Sequence, residues 1–277
     1  MNSKIYLSEN SAFLTTDTRA TRWAIPYNAD CLNSRIGNLL DRQKDAVEEK
    51  KILDIGSHNG TFSYAALLLG AGEGQGVEVE EKTVARCRTL FQGENISESL
   101  YRFEVQNIHD FLETVPPNSF DTIFCFGMFY YTPNPLRLLE LMNRAVRSTI
   151  LIDTFTAAYA AVQGKDALNV YPKLKEETLD LPVMFVSLTQ SEKKDYRLPH
   201  SFEHKGKELS LLTLPTKSLL EIWFQYLNIE YTFLDWSDYT VRTCSYHDLY
   251  SPEQKKKSHW ADVYASGIRV SYRLDKK

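Results

Sequence analysis

One stretch limits the folds open to this chain more than any other: Lys51–Ala71, KILDIGSHNGTFSYAALLLGA. Ile52, Leu53 and Ile55 make a short apolar run of the kind that forms a buried strand. Phe62, Ala65, Ala66 and Leu69 then recur at helical spacing, and Gly70 and Gly72 stop the helix. Gly56 and Gly60 bracket the loop between them. Strand, glycine loop and helix in that order open a doubly wound α/β sheet, a fold that binds ligands at the carboxyl ends of its strands. Asp54 stands inside the apolar run, where a carboxylate is costly without a partner.

A dinucleotide-binding loop needs G-x-G-x-x-G, because pyrophosphate must come close to backbone N–H groups. This loop has Ser57, His58 and Asn59 between its two glycines and lacks the middle one. An acid two residues before the first glycine would repel phosphate. It suits a ligand that brings cationic or hydroxyl donors. A plain strand–turn–helix without a ligand is the bland alternative.

The flanking chain continues the alternation. A helix is expected over Asn28–Lys50, with Leu32, Ile36, Leu39, Leu40 and Val47 in register. Arg35 on it could grip a ligand carboxylate, although an Arg held by a salt bridge is the commoner outcome. Further strands are expected at Gly74–Val79, Tyr101–Val105, Ser119–Phe126 and Thr149–Asp153. Helices are expected at Lys82–Phe91 and after Pro133 and Pro135, with Leu136, Leu139, Met142 and Val146 inward. Five strands alternating with helices predict a parallel sheet. Glu78 falls at the end of the second strand, 24 residues after Asp54, where doubly wound folds place an acid against ribose hydroxyls.

From Thr154 to Leu209 the alternation stops, and an insertion after the fifth strand is expected. Its segment DYRLPHSFEHKG carries His200 and His204, either of which could serve as a base, in a loop set by Pro199 and Gly206. An amphipathic helix then carries Leu219, Leu220, Trp223, Tyr226 and Leu227, with Ser218 and Glu221 spaced as a capping box. Ile229–Trp236 and Ala265–Leu274 read as strands, the second alternating Ile268, Val270 and Tyr272 with Arg269, Ser271 and Arg273. The chain divides into a cap over 1–50, a ligand-binding core over 51–155, a covering insertion over 156–210 and a completion of the core over 211–277.

The pattern D-x-G-x-x-x-G at Asp54, Gly56 and Gly60 resembles motif I of the class I S-adenosylmethionine (SAM) dependent methyltransferases. Phe120-Asp121 opens the fourth strand in the manner of their motif IV. The run FDTIFCFGMFYYTPNPLRLLELMNRAV is similar to the F-D-x-V-x-x-x-G-V-L-Y-H-x-x-x-P-L-x-x-L segment of several subfamilies, the tRNA wobble-uridine carboxymethyl transferase group among them. Tyr131 stands where those subfamilies carry His. The resemblance implies a Rossmann-like, doubly wound seven-stranded sheet, mostly parallel with an antiparallel last strand. It implies SAM as cofactor, held by Asp54, Gly56, Ser57, Gly60 and Glu78. Asn107 and Ile108 would meet adenine, with Asn107 standing where an acid is common, and Phe126 and Gly127 would flank the sulfonium. Candidates for a base are His200, His204, Tyr131 and Asp153.

The net charge of −4 argues against a sequence-blind nucleic-acid binder. Four dispersed cysteines with no C-x-x-C pattern suggest neither a metal site nor a disulfide framework. No apolar run is long enough to span a bilayer, and a cytoplasmic protein is expected. The favoured expectation is methyl transfer to oxygen or nitrogen of a small-molecule acceptor. A tRNA-modifying transferase and a non-catalytic SAM-fold binding module are the alternatives.

Overall fold

A computed structural model describes residues 4–14, 28–162, 174–190 and 201–277. In chain order the strands are β1 (Lys51–Ile55), β2 (Glu73–Glu78), β3 (Tyr101–Val105), β4 (Phe120–Phe126), β5 (Val146–Phe155), β6 (Met184–Gln190), β7 (Phe202–His204), β8 (Lys207–Pro215), β9 (Ile229–Phe233) and β10 (Arg269–Lys276). The helices are α1 (Ala29–Leu39), α2 (Thr61–Leu68), α3 (Glu81–Gly93), α4 (Ile108–Thr114), α5 (Pro135–Ala145), α6 (Ala158–Val162), α7 (Glu176–Asp180), α8 (Lys217–Tyr226), α9 (Pro252–Lys256) and α10 (Asp262–Ala265). None of the described helices is long and apolar enough to cross a membrane.

The main sheet has seven strands in the order β3-β2-β1-β4-β5-β10-β9. β10 runs antiparallel to both β5 and β9, and the pairs from β3 through β5 are parallel. The chain reverses strand order between β1 and β4, and a ligand crevice belongs at that switch point. Successive side chains of a strand point to opposite faces, and the core divides accordingly. Ile52, Phe124 and Leu151 join a layer under α1, α2 and α3. Leu53, Ile123, Cys125, Ile150 and Ile152 join a second layer under α4, α5 and α8. By the same alternation Asp54 and Asp153 project toward the α1–α2 side.

The expected insertion contributes a second sheet, with order β6-β8-β7 and antiparallel pairing throughout. Thr213 on β8 donates to the Thr132 carbonyl at 2.7 Å, so this sheet is fastened beside the loop that leaves β4. β8 begins at Lys207 and runs without a break across the expected boundary at 210.

Two local expectations are corrected. The helix over Asn28–Lys50 ends at Leu39, and the chain tightens into a 3₁₀ turn over Asp41–Ala46 with Gln43 outside helical dihedrals. That turn delivers Val47 to the core and presents the Ala46 carbonyl to Thr122 at 2.6 Å. The capping box at Ser218 and Glu221 is not formed. Thr216 caps α8 by accepting from the Leu219 N–H, and Glu221 instead accepts from the Tyr272 hydroxyl at 2.8 Å. The polar side of the last strand is buried as well as its apolar side, with Arg269 3% and Ser271 0% exposed.

Asp121, from the motif-IV-like dipeptide, lies at the amino end of β4, accepts the Lys51 N–H at 2.9 Å and pairs with Arg147. It staples strand starts together, away from the ligand end.

Gly60 adopts φ +73°, and a Cβ there would stand 2.9 Å from both the Phe103 and the Phe91 rings. Left-handed backbone and overpacking each cost about 1–2 kcal/mol or more. Gly60→Ala should therefore lower the free energy of unfolding by about 2–4 kcal/mol, read as a shift in a urea midpoint; a shift below 0.5 kcal/mol would contradict the packing described.

Candidate active site

The glycine loop is shaped by backbone bonds to β2. The N–H groups of Gly56 and Ser57 both donate to the Val77 carbonyl, and the Gly60 N–H closes back on the Ser57 carbonyl at 2.8 Å. Gly56 sits at φ +65°, with room for a Cβ denied by Met128 at 3.0 Å. His58 also takes a positive φ of 49°, which turns its N–H toward Glu78 Oε2 at 3.1 Å. The loop thus folds over the end of β2 and brings two acids to one place.

Asp54 is 3% exposed and accepts from the Ser63 hydroxyl at 2.7 Å. Burial pushes its pKa up to about 7, against the Ser63 hydrogen bonds, and the charge of Glu78 adds to the rise. Glu78 is 6% exposed, with its carboxylate held by the N–H groups of His58, Val79 and Glu80. Burial raises its pKa too, opposed by those three backbone bonds. Among the described residues the pair has no cationic side-chain partner, and the Oγ of Ser57 and Oγ1 of Thr61 are buried without a hydrogen-bond partner. Two acceptors short of positive charge, beside loop hydroxyls left unpaired, make a cradle for a ligand rich in donors.

The other sequence-stated positions distribute unevenly. Phe126 and Gly127 leave β4 at the same end of the sheet, with the Phe126 ring edge-on to Phe62 of α2 at 4.9 Å. Asn107 caps α4, accepting the His109 N–H at 2.9 Å, so its side-chain oxygen is committed to the helix and only its amide group remains for a ligand. Ile108 is 5% exposed and part of the layer under α4 and α5. Tyr131 is half-buried in the turn after β4, with its ring 4.6 Å from that of Tyr130. His204 is exposed on β7, opposite Lys207 at the end of a hairpin in the second sheet, and does not join the group at the main-sheet crevice. His200 lies outside the described residues.

Asp153 is corrected as a base. It is fully buried at the carboxyl end of β5 and receives Arg269 through Nε at 2.9 Å and Nη2 at 2.9 Å. It also receives Arg35 Nη2 at 2.5 Å, Ser271 at 3.0 Å and Tyr264 at 3.2 Å. Burial works to raise its pKa, but the two guanidiniums outweigh that and hold it below the usual carboxylate range. A carboxylate so stabilised is a poor proton acceptor. The salt-bridged outcome for Arg35 is thus the one observed. Sequence periodicity could not pair residues 35, 153 and 269. The one available signal was the Arg–Ser–Arg alternation on β10, a polar face too regular for a strand that turns out to be buried on both sides.

Removing one partner of a buried ion pair typically costs about 3–5 kcal/mol, because it strands the other charge. Asp153→Asn strands two. Chemical denaturation should show a loss of at least about 3 kcal/mol; a neutral effect would mean that the guanidiniums find other acceptors.

A methyltransferase domain model matches residues 46–204, more than half of the chain. A tRNA U34 carboxymethyltransferase from Campylobacter hominis is 30% identical over 142 residues, which is 50% of this chain and 45% of that protein. A ubiquinone biosynthesis O-methyltransferase from Idiomarina loihiensis is 29% identical over 115 residues, 41% of this chain and 44% of that protein. The chain therefore spans less than half the length of these curated relatives. A solved SAM-dependent methyltransferase from Mesorhizobium loti superposes with a TM-score of 0.54 at 16% identity, over 83% of this chain and 93% of the other, a likeness of fold.

Proposed function

This chain belongs to the methyltransferase domain family, and on that premise we propose that it transfers a methyl group from SAM to oxygen or nitrogen of a small-molecule acceptor. The observation that carries this reading is the pair of buried acids, Asp54 and Glu78, on either side of a glycine loop with unpaired hydroxyls.

The residues fit the cofactor. Its amino group and ribose hydroxyls are donors, and the two carboxylates are acceptors that lack a cation among the described residues. Asp54 would draw the ammonium to the carboxyl end of β1, and Glu78, already aimed by three backbone N–H groups, would take ribose hydroxyls. Gly56 and Gly60 let the backbone come close, and Ser57 offers a free hydroxyl. Asn107 would offer its amide to adenine, and Phe126 and Gly127 would border the path to the acceptor. When bound, SAM supplies an activated methyl group open to in-line displacement. Holding donor and acceptor in line then supplies much of the rate. A base is required only where the acceptor loses a proton as it attacks. Tyr131, half-buried in the turn after β4, is a described candidate.

The curated relative that acts on tRNA favours a second reading, in which the acceptor is a tRNA base. That reading calls for binding that weakens steeply with salt. The net charge of −4 supports the small-molecule acceptor instead. Isotope-labelled methyl transfer into a metabolite extract, against the same assay with bulk tRNA, separates the two. Label in tRNA alone would reject the small-molecule acceptor, and label in neither would reject catalysis.

The pKa of Asp54 is raised from 3.8 to about 7, so the folded protein holds a proton that the unfolded chain gives up. Stability of the unliganded protein should therefore fall as pH rises from 3.8 to about 7, then level off. Binding of a cationic ligand should run the other way and strengthen as pH passes through about 7. Asp54→Asn keeps an acceptor for Ser63 but removes the charge. It should raise the unfolding midpoint at pH 8, weaken S-adenosylhomocysteine binding tenfold or more (about 1.4 kcal/mol) and flatten the pH profile. Calorimetry showing unchanged affinity would overturn the assignment of Asp54.

A further inference from the structure

Asp153 is one negative charge between two positive ones. Arg35 and Arg269 are each 3% exposed, and Asp153 is the ion-pair partner of both. Among the described residues, the remaining groups around it are neutral. Ser271 carries no charge, and burial holds the Tyr264 and Tyr130 phenols above their usual range. One guanidinium charge is left over in a place withdrawn from water. Burying an ion without a counterion is expensive, and chains seldom retain one that nothing uses. Arg35 Nε is also buried with no hydrogen-bond partner. Structural stability does not explain Arg35, since the Arg269–Asp153 pair is already neutral and bidentate.

The surplus charge sits at the ligand end of the sheet. The Gly127 N–H donates to the Asp153 carbonyl at 2.8 Å, and a Cβ on Gly127 would stand 3.3 Å from Arg269 Nη2. Arg35 lies over the Phe62 ring at 4.8 Å, and Phe62 belongs to the first turn after the glycine loop. Arg269 lies over the Phe155 ring at 4.8 Å. Phe126 closes against Phe62 from β4. Two guanidiniums are therefore set among aromatic rings, at the carboxyl ends of the strands and on the opposite side of β1 from Glu78.

We propose that Arg35 and Arg269 together seat the carboxylate of the methyl acceptor, which makes the acceptor a small, flat organic acid. The inference rests on the methyl-transfer reading for what happens to the acid, but the anion seat is testable without it. A guanidinium offers paired N–H donors to a carboxylate, and the rings beside it favour a planar skeleton. Asp153 holds Arg269 in place, and Arg35 brings the charge that the acid neutralises. A polynucleotide would not reach groups this enclosed, which favours a small molecule over a nucleic-acid phosphate.

The test compares benzoate with benzamide, matched in shape and differing in charge, by calorimetry on the intact chain with and without S-adenosylhomocysteine. Benzoate should bind at least tenfold more tightly than benzamide. Arg35→Met should lose that preference while its unfolding midpoint stays level or rises, because the remaining Arg269–Asp153 pair is neutral. Arg35→Lys should recover part of the preference. Equal binding of the two probes to the wild-type chain, no benzoate binding at all, or an undiminished preference in Arg35→Met would each overturn the proposal. The wild-type comparison stands even if Arg35→Met does not fold. S-adenosylhomocysteine binding is read separately. Its absence from the wild-type chain would overturn the methyl-transfer reading, while the benzoate comparison without it would still decide the anion seat.

Discussion

The ion cluster around Asp153 joins parts of the chain that are far apart in sequence. Arg35 comes from α1, Asp153 from the end of β5, Arg269 and Ser271 from β10, and Tyr264 from α10. A charge buried at 0% exposure is tolerable only when it is paired and hydrogen-bonded, which Arg269, Ser271 and Tyr264 already provide for Asp153. The antiparallel entry of β10 between β5 and β9 is what puts Ser271 directly opposite Asp153 and Arg269, opposite Phe155, within reach of its carboxylate. Trp236 follows, with its indole N–H donating to Ser271 and its ring stacked on Tyr264 at 3.7 Å. The closure of the sheet and the polar centre behind the crevice are one arrangement.

A second constraint acts at β1 and β2. The loop from Gly56 to Gly60 bonds to the Val77 carbonyl, and that brings Asp54 and Glu78 together with both carboxyls buried. Each acid is less stable as an anion there than in water, and their mutual repulsion adds to the cost. Across the crevice the Asp153 cluster has the opposite imbalance, with two guanidiniums to one carboxylate. The crevice is therefore polarised, acidic toward β2 and basic toward β5. A molecule with a cationic end and a partner with an anionic end would relieve both sides, and sites that store such imbalance tend to be functional ones.

Much of the fold was legible because it follows from short-range patterns. The apolar runs of β1, β4 and β5, the loop glycines and the spacing within α3 and α5 each reflect local rules, and all lie close to where the periodicity put them. Errors arose where tertiary contacts outbid local preference. The helix after Asn28 stops at Leu39 so that Ala46 and Val47 can enter the core, and α8 is capped by Thr216 because β8 runs straight into it. The Asn107 side-chain oxygen caps α4 for the same kind of reason, since an orphan N–H at a helix start takes the nearest acceptor, and this leaves its amide group for a ligand.

By itself the sequence determined the alternation of strand and helix, the positive-φ loop with its two glycines, and the presence of Asp54 and Glu78 at the ends of the first two strands. Those features depend on residues within a turn or a strand of one another. Only the tertiary structure decided that Asp153 is locked rather than basic, that Arg35 and Arg269 share it, and that a positive charge remains. Charge balance at a buried point is a sum over groups contributed by distant segments, and no local pattern carries that sum.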